Sequence, residues 1–112
     1  QVAALTALEG SHEFLNDMME KFNKRRNLIV DGLNSLPGIK CNKPGGAFYV
    51  FPNISETGMT GDVFSEKCLF DAGVAIVPGT SFGQSCSNFA RFSFANSYEN
   101  IEKALEKIKK IL

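Results

Sequence analysis

A period-two pattern of apolar residues near the carboxyl end is the feature that most restricts how this chain can fold. In the segment "NFARFSFAN", the alternation separates two sets of residues, namely Ala90, Phe92 and Phe94 from Phe89, Arg91 and Ser93. Successive side chains of a strand point to opposite faces, so the first set predicts the side that packs on a core. Arg91 is therefore predicted to lie on the opposite side, away from the core.

Two other segments are predicted as strands, with a helix between them. The dense apolar run Ala47–Phe51 follows two glycines and is typical of a strand buried on both faces. The segment "VAIVPG", which ends at Gly79, is the second strand. Residues 60–72 predict a helix with Thr60 or Asp62 as its N-cap and Gly73 as its left-handed end.

Two longer helices complete the pattern. Apolar residues on one face predict a helix from Ser11 to about Leu36, where Pro37 and Gly38 stop it. Asn96, with Glu99 three residues later, predicts the start of an amphipathic helix that runs to the end of the chain. The lysines and glutamates of this last helix form a solvated face and receive no function.

The order helix, strand, helix, strand, strand, helix predicts an α+β fold, in which a small, mainly antiparallel three-stranded sheet has its helices packed mainly on one face. A right-handed crossover makes the first two strands parallel, with the third strand antiparallel between them. Arg91 is thus predicted to lie on the central strand.

Composition excludes several classes of function. With 112 residues, the chain is the size of a single domain, and 12 basic residues balance 12 acidic ones. This balance gives no broad positive field for nucleic acid or an anionic membrane. No run of about 18 apolar residues predicts a membrane span, and we expect a cytoplasmic location. The three cysteines are widely spaced and predict neither a metal site nor a nucleophile.

The chain begins with a helical pattern, "QVAALTALEG", that has neither an initiator methionine nor a capping residue. We expect residues 1–10 to be the tail of a helix that began upstream, and residues 11–112 to form the domain.

Three segments together, "PGGAFYVFPNI", "GVAIVPGTSFG" and "ARFSFANSYENIEKALEKI", resemble the C-terminal small domain of fold-type I, pyridoxal-phosphate-dependent aminotransferases. They occur in the family's order and spacing, and the closest resemblance is to the bacterial aspartate aminotransferase subgroup. On this resemblance, residues 1–10 are the tail of a helix from an absent large domain.

The resemblance implies functions for particular residues. Arg91 takes the position of the arginine that binds the α-carboxylate of the substrate, and Phe48 that of an aromatic residue that helps to wall the pocket. A guanidinium offers a planar pair of donors that match a carboxylate and stays charged at any working pH. Core packing explains Phe48 equally well. The turn at Pro78, Gly79 and Phe82 resembles a loop at the substrate entrance, although an ordinary Pro-Gly turn also explains the first two residues.

The resemblance also implies what this chain lacks. The lysine that forms the Schiff base and most contacts to pyridoxal 5'-phosphate belong to the large domain, so the catalytic residues are expected outside this chain. The full-length enzyme is expected to be a homodimer that moves an amino group between an amino acid, aspartate in the first instance, and a 2-oxo acid such as 2-oxoglutarate. The 112-residue chain alone is expected to be inactive. Tyr49, His12 and the cysteines receive no role.

Two alternatives come from other classes of protein. A free-standing carboxylate-binding or regulatory module would use Arg91 to hold a ligand without chemistry. The segment "ARFSFA" also loosely resembles the aromatic strand of domains that bind single-stranded RNA, where exposed rings stack on bases. The zero net charge and the predicted core position of Phe92 and Phe94 oppose this second alternative.

Overall fold

A computed structural model describes residues 1–112 and confirms the predicted α+β class. Two helices are followed along the chain by a strand, a third helix, two strands and a final helix. The helices are α1 (Val2–Glu9), α2 (Glu13–Asn34), α3 (Gly61–Ala72) and α4 (Tyr98–Lys109). The strands are β1 (Tyr49–Val50), β2 (Val77–Pro78) and β3 (Ala90–Ser93). Three single 3-10 turns, Ser55–Thr57, Gly79–Phe82 and Gln84–Cys86, lie in the connections.

The sheet has the order β1-β3-β2, and β3 is antiparallel to both neighbours. Across the first ladder Tyr49 faces Ser93, and across the second Val77 faces Arg91. Pro78 is tolerated in β2 because this strand lies at the edge of the sheet. The prediction that Arg91 lies on the central strand, between two parallel neighbours, is confirmed.

The hydrophobic core lies between one face of the sheet and three helices. Its most deeply buried side chains come from α2, α3, α4 and all parts of the sheet region, and include Leu33, Val50, Ile54, Phe64, Cys68, Phe94 and Ile108. Burial along β3 alternates, because Ala90 and Phe92 are buried while Arg91 is half-buried and Ser93 exposed. The helices therefore cover the predicted face of the sheet and leave the other face open. Because Phe92 and Phe94 lie in the core, their rings are not available to stack on nucleic-acid bases.

The prediction of a strand buried on both faces at residues 47–51 is wrong. Regular pairing is limited to Tyr49 and Val50, and of these only Val50 is buried. The aromatic side chains around it remain 36–40% exposed, namely Phe48, Tyr49 and Phe51. The apolar run is dense because Tyr49 and Phe51 form part of an aromatic surface on the open face, while Phe48 packs against Phe22 of α2.

The helix ends agree with the predictions in part. Thr60 caps α3 by accepting a hydrogen bond from the Val63 amide, and Gly73 ends this helix with a φ of 63°. The cap of α4 was predicted at Asn96 and is Ser97 instead, whose hydroxyl accepts from the amide of Asn100 at 3.2 Å. For α2, Ser11 was predicted as the N-cap and His12 takes that position instead, while the helix ends at Asn34, two residues before Leu36.

The first helix, α1, lies on the outside of the molecule. None of its residues is buried, and its apolar side chains Val2, Leu5 and Leu8 are between 55% and 81% exposed. Neither α1 nor any of the other helices combines the length and apolar character that crossing a membrane requires.

Two of the three cysteines, Cys41 and Cys68, are buried in the core, and all three are free thiols. Burial raises the pKa of the Cys41 thiol to about 11 and that of the Cys68 thiol to about 12. In the second case the positive charge of Lys67 opposes the effect of burial without cancelling it. Both thiols are therefore protonated in the folded chain well above neutral pH, which makes them structural residues.

These raised pKa values predict a loss of stability at alkaline pH. Between pH 9 and 11 the unfolded chain releases thiol protons that the folded chain keeps, so the free energy of unfolding falls, by up to about 1.4 kcal/mol per pH unit for each thiol. Urea unfolding at several pH values measures this fall. In a Cys41→Ala, Cys68→Ala double variant the slope should be shallower, whatever its absolute stability, and an unchanged slope would contradict the prediction.

Candidate carboxylate-binding site

Arg91 lies in the middle of the open face of the sheet, on β3. Its side chain is half-buried and forms none of the salt bridges of the chain, all of which involve lysines. The arginine that donates side-chain hydrogen bonds is Arg26 on α2, not Arg91. The guanidinium of Arg91 therefore keeps its positive charge uncompensated and its donors free.

Two aromatic rings surround this guanidinium. Its Cζ atom lies 4.4 Å from the centre of the Tyr49 ring and 5.0 Å from the centre of the Phe82 ring. Tyr49 is on β1 opposite Ser93, so it shares the open face with Arg91 as a diagonal neighbour. Phe82 reaches the same place from the 3-10 turn that follows β2. Distances of this size are typical of favourable cation–π contacts.

A second pair of rings borders the site. Phe51 stacks on Phe89 with their centres 5.2 Å apart and 13° between their planes. The ring of Phe82 meets Phe51 edge-on at 5.6 Å. The open face thus carries a continuous aromatic surface with one cation at its centre.

The turn that carries Phe82 is held by close backbone contacts. The amide of Gly79 donates to the carbonyl of Phe89 at 2.8 Å, and the hydroxyl of Thr80 donates to the Asp62 carboxylate at 2.7 Å. A Cβ atom at Gly79 would lie 2.6 Å from the Phe89 oxygen and closer still to the carbonyl of Cys86. Gly79 is thus required by this close approach, which the explanation by a simple Pro-Gly turn did not include.

Phe48 lies beside this cluster but not against the guanidinium. Its ring packs on Phe22 of α2, with 6.3 Å between centres, and on Tyr49 at 4.4 Å. The preceding residue, Ala47, has a positive φ of 57°, an unusual conformation for a residue with a Cβ atom. Of these two neighbouring rings, it is Tyr49 and not Phe48 that contacts the guanidinium of Arg91.

Sequence reasoning could have found Tyr49 but not Phe82. If β1 is paired with β3 in the observed register, the period of two places Tyr49 on the face of Arg91. The position of Phe82 depends on a turn whose course is set by tertiary hydrogen bonds.

The residues present do not form a site for a Schiff-base cofactor. An amine that reacts with a carbonyl group at neutral pH needs a lowered pKa, for which burial is the usual cause. No lysine of this chain is buried, and no cluster of residues is arranged to bind a metal ion.

A separate apolar groove of about 430 Å³ lies between α4 and residues 73–76 and includes neither Arg91 nor the rings around it. What the open face offers a ligand is therefore the guanidinium of Arg91 and the aromatic rings around it.

The fold and this site together define the class of protein: a small α+β domain that carries one guanidinium, framed by aromatic rings, on the open face of its sheet. The chain belongs to the aminotransferase class I and II family, whose profile matches residues 1–108.

Individual relatives agree with this assignment. The chain is 44% identical to an aspartate aminotransferase of Pyrococcus horikoshii over 100% of its own length and 29% of that protein. It is 48% identical to a probable aspartate aminotransferase of Methanocaldococcus jannaschii, over 99% of the chain and 28% of the relative. The crystal structure of an aromatic aminotransferase from Pyrococcus horikoshii superposes with a TM-score of 0.92 at 39% identity, over 98% of this chain and 30% of the other. The chain thus spans less than a third of the length of these proteins.

The close approach at Gly79 predicts a specific loss of stability. Gly79→Ala forces a Cβ atom against two backbone carbonyls and should lower the free energy of unfolding by about 1 to 3 kcal/mol. Gly46→Ala is the matched control, because a Cβ atom there has no neighbour within 4 Å, and its effect should stay within about 0.5 kcal/mol. Urea unfolding of the 112-residue chain measures both, and equal effects would contradict the prediction.

Proposed function

We propose that this chain is the substrate-binding small domain at the C-terminal end of a pyridoxal-phosphate-dependent aminotransferase, with residues 1–10 leading in from the large domain and residues 11–112 forming the small one. The observation that carries the proposal is the free guanidinium of Arg91 on the open face of the sheet. Family membership supports the reaction class. The exposed apolar side of α1 supports a neighbouring domain in the full-length protein.

In this proposal Arg91 binds the α-carboxylate of the substrate. The planar guanidinium donates two parallel hydrogen bonds to the two carboxylate oxygens, which fixes the direction of the substrate as well as its position. Amino acids and 2-oxo acids both carry this carboxylate, so one arginine serves the substrate and the product of each half-reaction. Phe48 is a second residue of the proposed pocket, since its ring is 40% exposed beside Tyr49.

The chemistry itself is proposed to take place on groups outside this chain. Pyridoxal 5'-phosphate supplies an electron sink for the reaction when it is bound. The residues that would bind it lie outside this chain, as does the lysine that moves the proton. The chain's own contribution is to hold the carboxylate and to cover one side of the site with aromatic surface that excludes water.

The amino-acid substrate is proposed to be aspartate, with 2-oxoglutarate as the amino acceptor. The names of two relatives, an aspartate aminotransferase and a probable aspartate aminotransferase, support this choice, while a structurally similar protein is named as an aromatic aminotransferase. We also propose a cytoplasmic homodimer for the full-length enzyme.

The role of Arg91 predicts a large effect of its removal from the full-length enzyme. Arg91→Ala should lower kcat/KM for amino-acid substrates by the equivalent of about 2 to 5 kcal/mol, because a charge-assisted bidentate contact is lost. Arg91→Lys should recover only part of this loss, since an ammonium lacks the planar pair of donors. Steady-state kinetics with aspartate and 2-oxoglutarate measure both variants.

Arg25→Ala provides the matched control, because Arg25 also lies over an aromatic ring, Phe22, but on α2. Its kcat/KM should equal that of the unmodified enzyme. If Arg91→Ala retained a near-normal kcat/KM, the assignment of Arg91 would be wrong.

Because the lysine that forms the Schiff base is proposed to lie outside this chain, the isolated 112-residue chain should have no transaminase activity with added pyridoxal 5'-phosphate. Each lysine of the chain lies at the surface or is only partly covered. A coupled assay with aspartate and 2-oxoglutarate tests this, with the full-length enzyme as the positive control. Turnover by the isolated chain would contradict the proposal and favour a free-standing module.

A further inference from the structure

The free guanidinium raises the question of what keeps it in place. An arginine side chain has several rotatable bonds, and without polar partners it would sample many positions. A ligand that bound such a side chain would have to restrict it, which weakens binding. In this chain the guanidinium of Arg91 lies over the rings of Tyr49 and Phe82, at 4.4 Å and 5.0 Å from their centres.

We propose that Tyr49 and Phe82 are positioning residues, which hold the guanidinium of Arg91 by ring contacts and leave its hydrogen-bond donors free for the ligand. The inference rests on the proposed function, because it takes the ligand to be a carboxylate. A ring attracts the guanidinium through its π-face, whereas the five N–H donors lie in the guanidinium plane. The rings therefore contact the flat face of the guanidinium, while the N–H donors at its edge stay available to the ligand.

This inference also explains why no carboxylate of the protein forms a salt bridge with Arg91. A carboxylate of the protein that paired with Arg91 would also fix its position, but it would occupy the donors and cancel the charge. Such a group would then compete with the substrate for the same contacts. Aromatic rings hold a cation without either effect, which explains why an aromatic surface surrounds Arg91 instead of acidic residues.

Tyr49 acts through its ring and not through its hydroxyl. The Tyr49 hydroxyl forms no hydrogen bond within the chain. The polar contacts near it are backbone hydrogen bonds and the bond from Thr80 to Asp62. The ring is 36% exposed and meets Arg91 from the neighbouring strand. Phe82 is 50% exposed and has no hydroxyl, yet it contacts the same guanidinium. A phenylalanine at position 49 should therefore serve as well as tyrosine.

The test uses the full-length protein and two measurements, the dissociation constant of maleate by calorimetry and steady-state kinetics with aspartate. Tyr49→Leu and Phe82→Leu should each raise the dissociation constant and KM by roughly 3- to 30-fold, with a smaller change in kcat. Tyr49→Phe should remain within about twofold of the unmodified protein. Tyr98→Leu is the control, because Tyr98 is a comparably exposed tyrosine, 41%, at the start of α4.

A double variant shows whether Tyr49 acts through Arg91. When Arg91 is already alanine, the further change Tyr49→Leu should leave the maleate dissociation constant unchanged, because no guanidinium remains to be held. Additive effects of the two changes would overturn the inference, as would a Tyr49→Phe loss equal to that of Tyr49→Leu. If Arg91→Ala alone had no effect on maleate binding, the proposed function would fail instead, so the two failures are distinguishable.

Discussion

The pairing of β3 with strands on both sides is the constraint on which the rest of the structure depends. A central strand cannot rotate about its axis without breaking two ladders, so its alternating side chains are committed to opposite environments. Burial of Ala90 and Phe92 against the helices thereby decides that Arg91 faces outward. The same hydrophobic contacts that stabilise the domain also place the guanidinium of Arg91 on the open face.

The ladders themselves are short, with two residue pairs on each side of β3. Backbone contacts just before the start of β3 add to them. The amide of Gly61 donates to Ser87, and that of Gly79 donates to Phe89. Gly61 begins α3 and Gly79 begins the turn after β2. Both are thus bonded to the segment that leads into β3. The turn that carries Phe82 is therefore joined, through the amide of Gly79, to the backbone that leads into β3.

Much of the fold could be predicted from the sequence because its signals are local or periodic. The period of two in β3, the Thr60 and Gly73 ends of α3 and the order of the elements were sufficient for the architecture. Errors arose where one signal fits two structures. A dense run such as residues 47–51 does not reveal whether its second face is covered by a helix or open. The adjacent polar residues Asn96 and Ser97 are both good caps, and only the backbone geometry of α4 decides between them.

The site shows the same division. The face on which Arg91 lies could be predicted because it follows from alternation, whereas its role in binding a carboxylate came from the family resemblance and stays a prediction. Its contact with Tyr49 depends on the register between two strands, and its contact with Phe82 depends on a turn fixed by hydrogen bonds from distant residues. Such long-range relations leave no local pattern in the sequence.

The uncompensated charge of Arg91 also separates the function of this domain from its folding. Removing one member of a buried ion pair usually destabilises a protein, because the other charge is left without a partner. Arg91 has no such partner, so a change of this residue leaves no orphaned charge behind. A substitution at position 91 can therefore remove the cation of the open face while the core and the strand pairing keep their contacts.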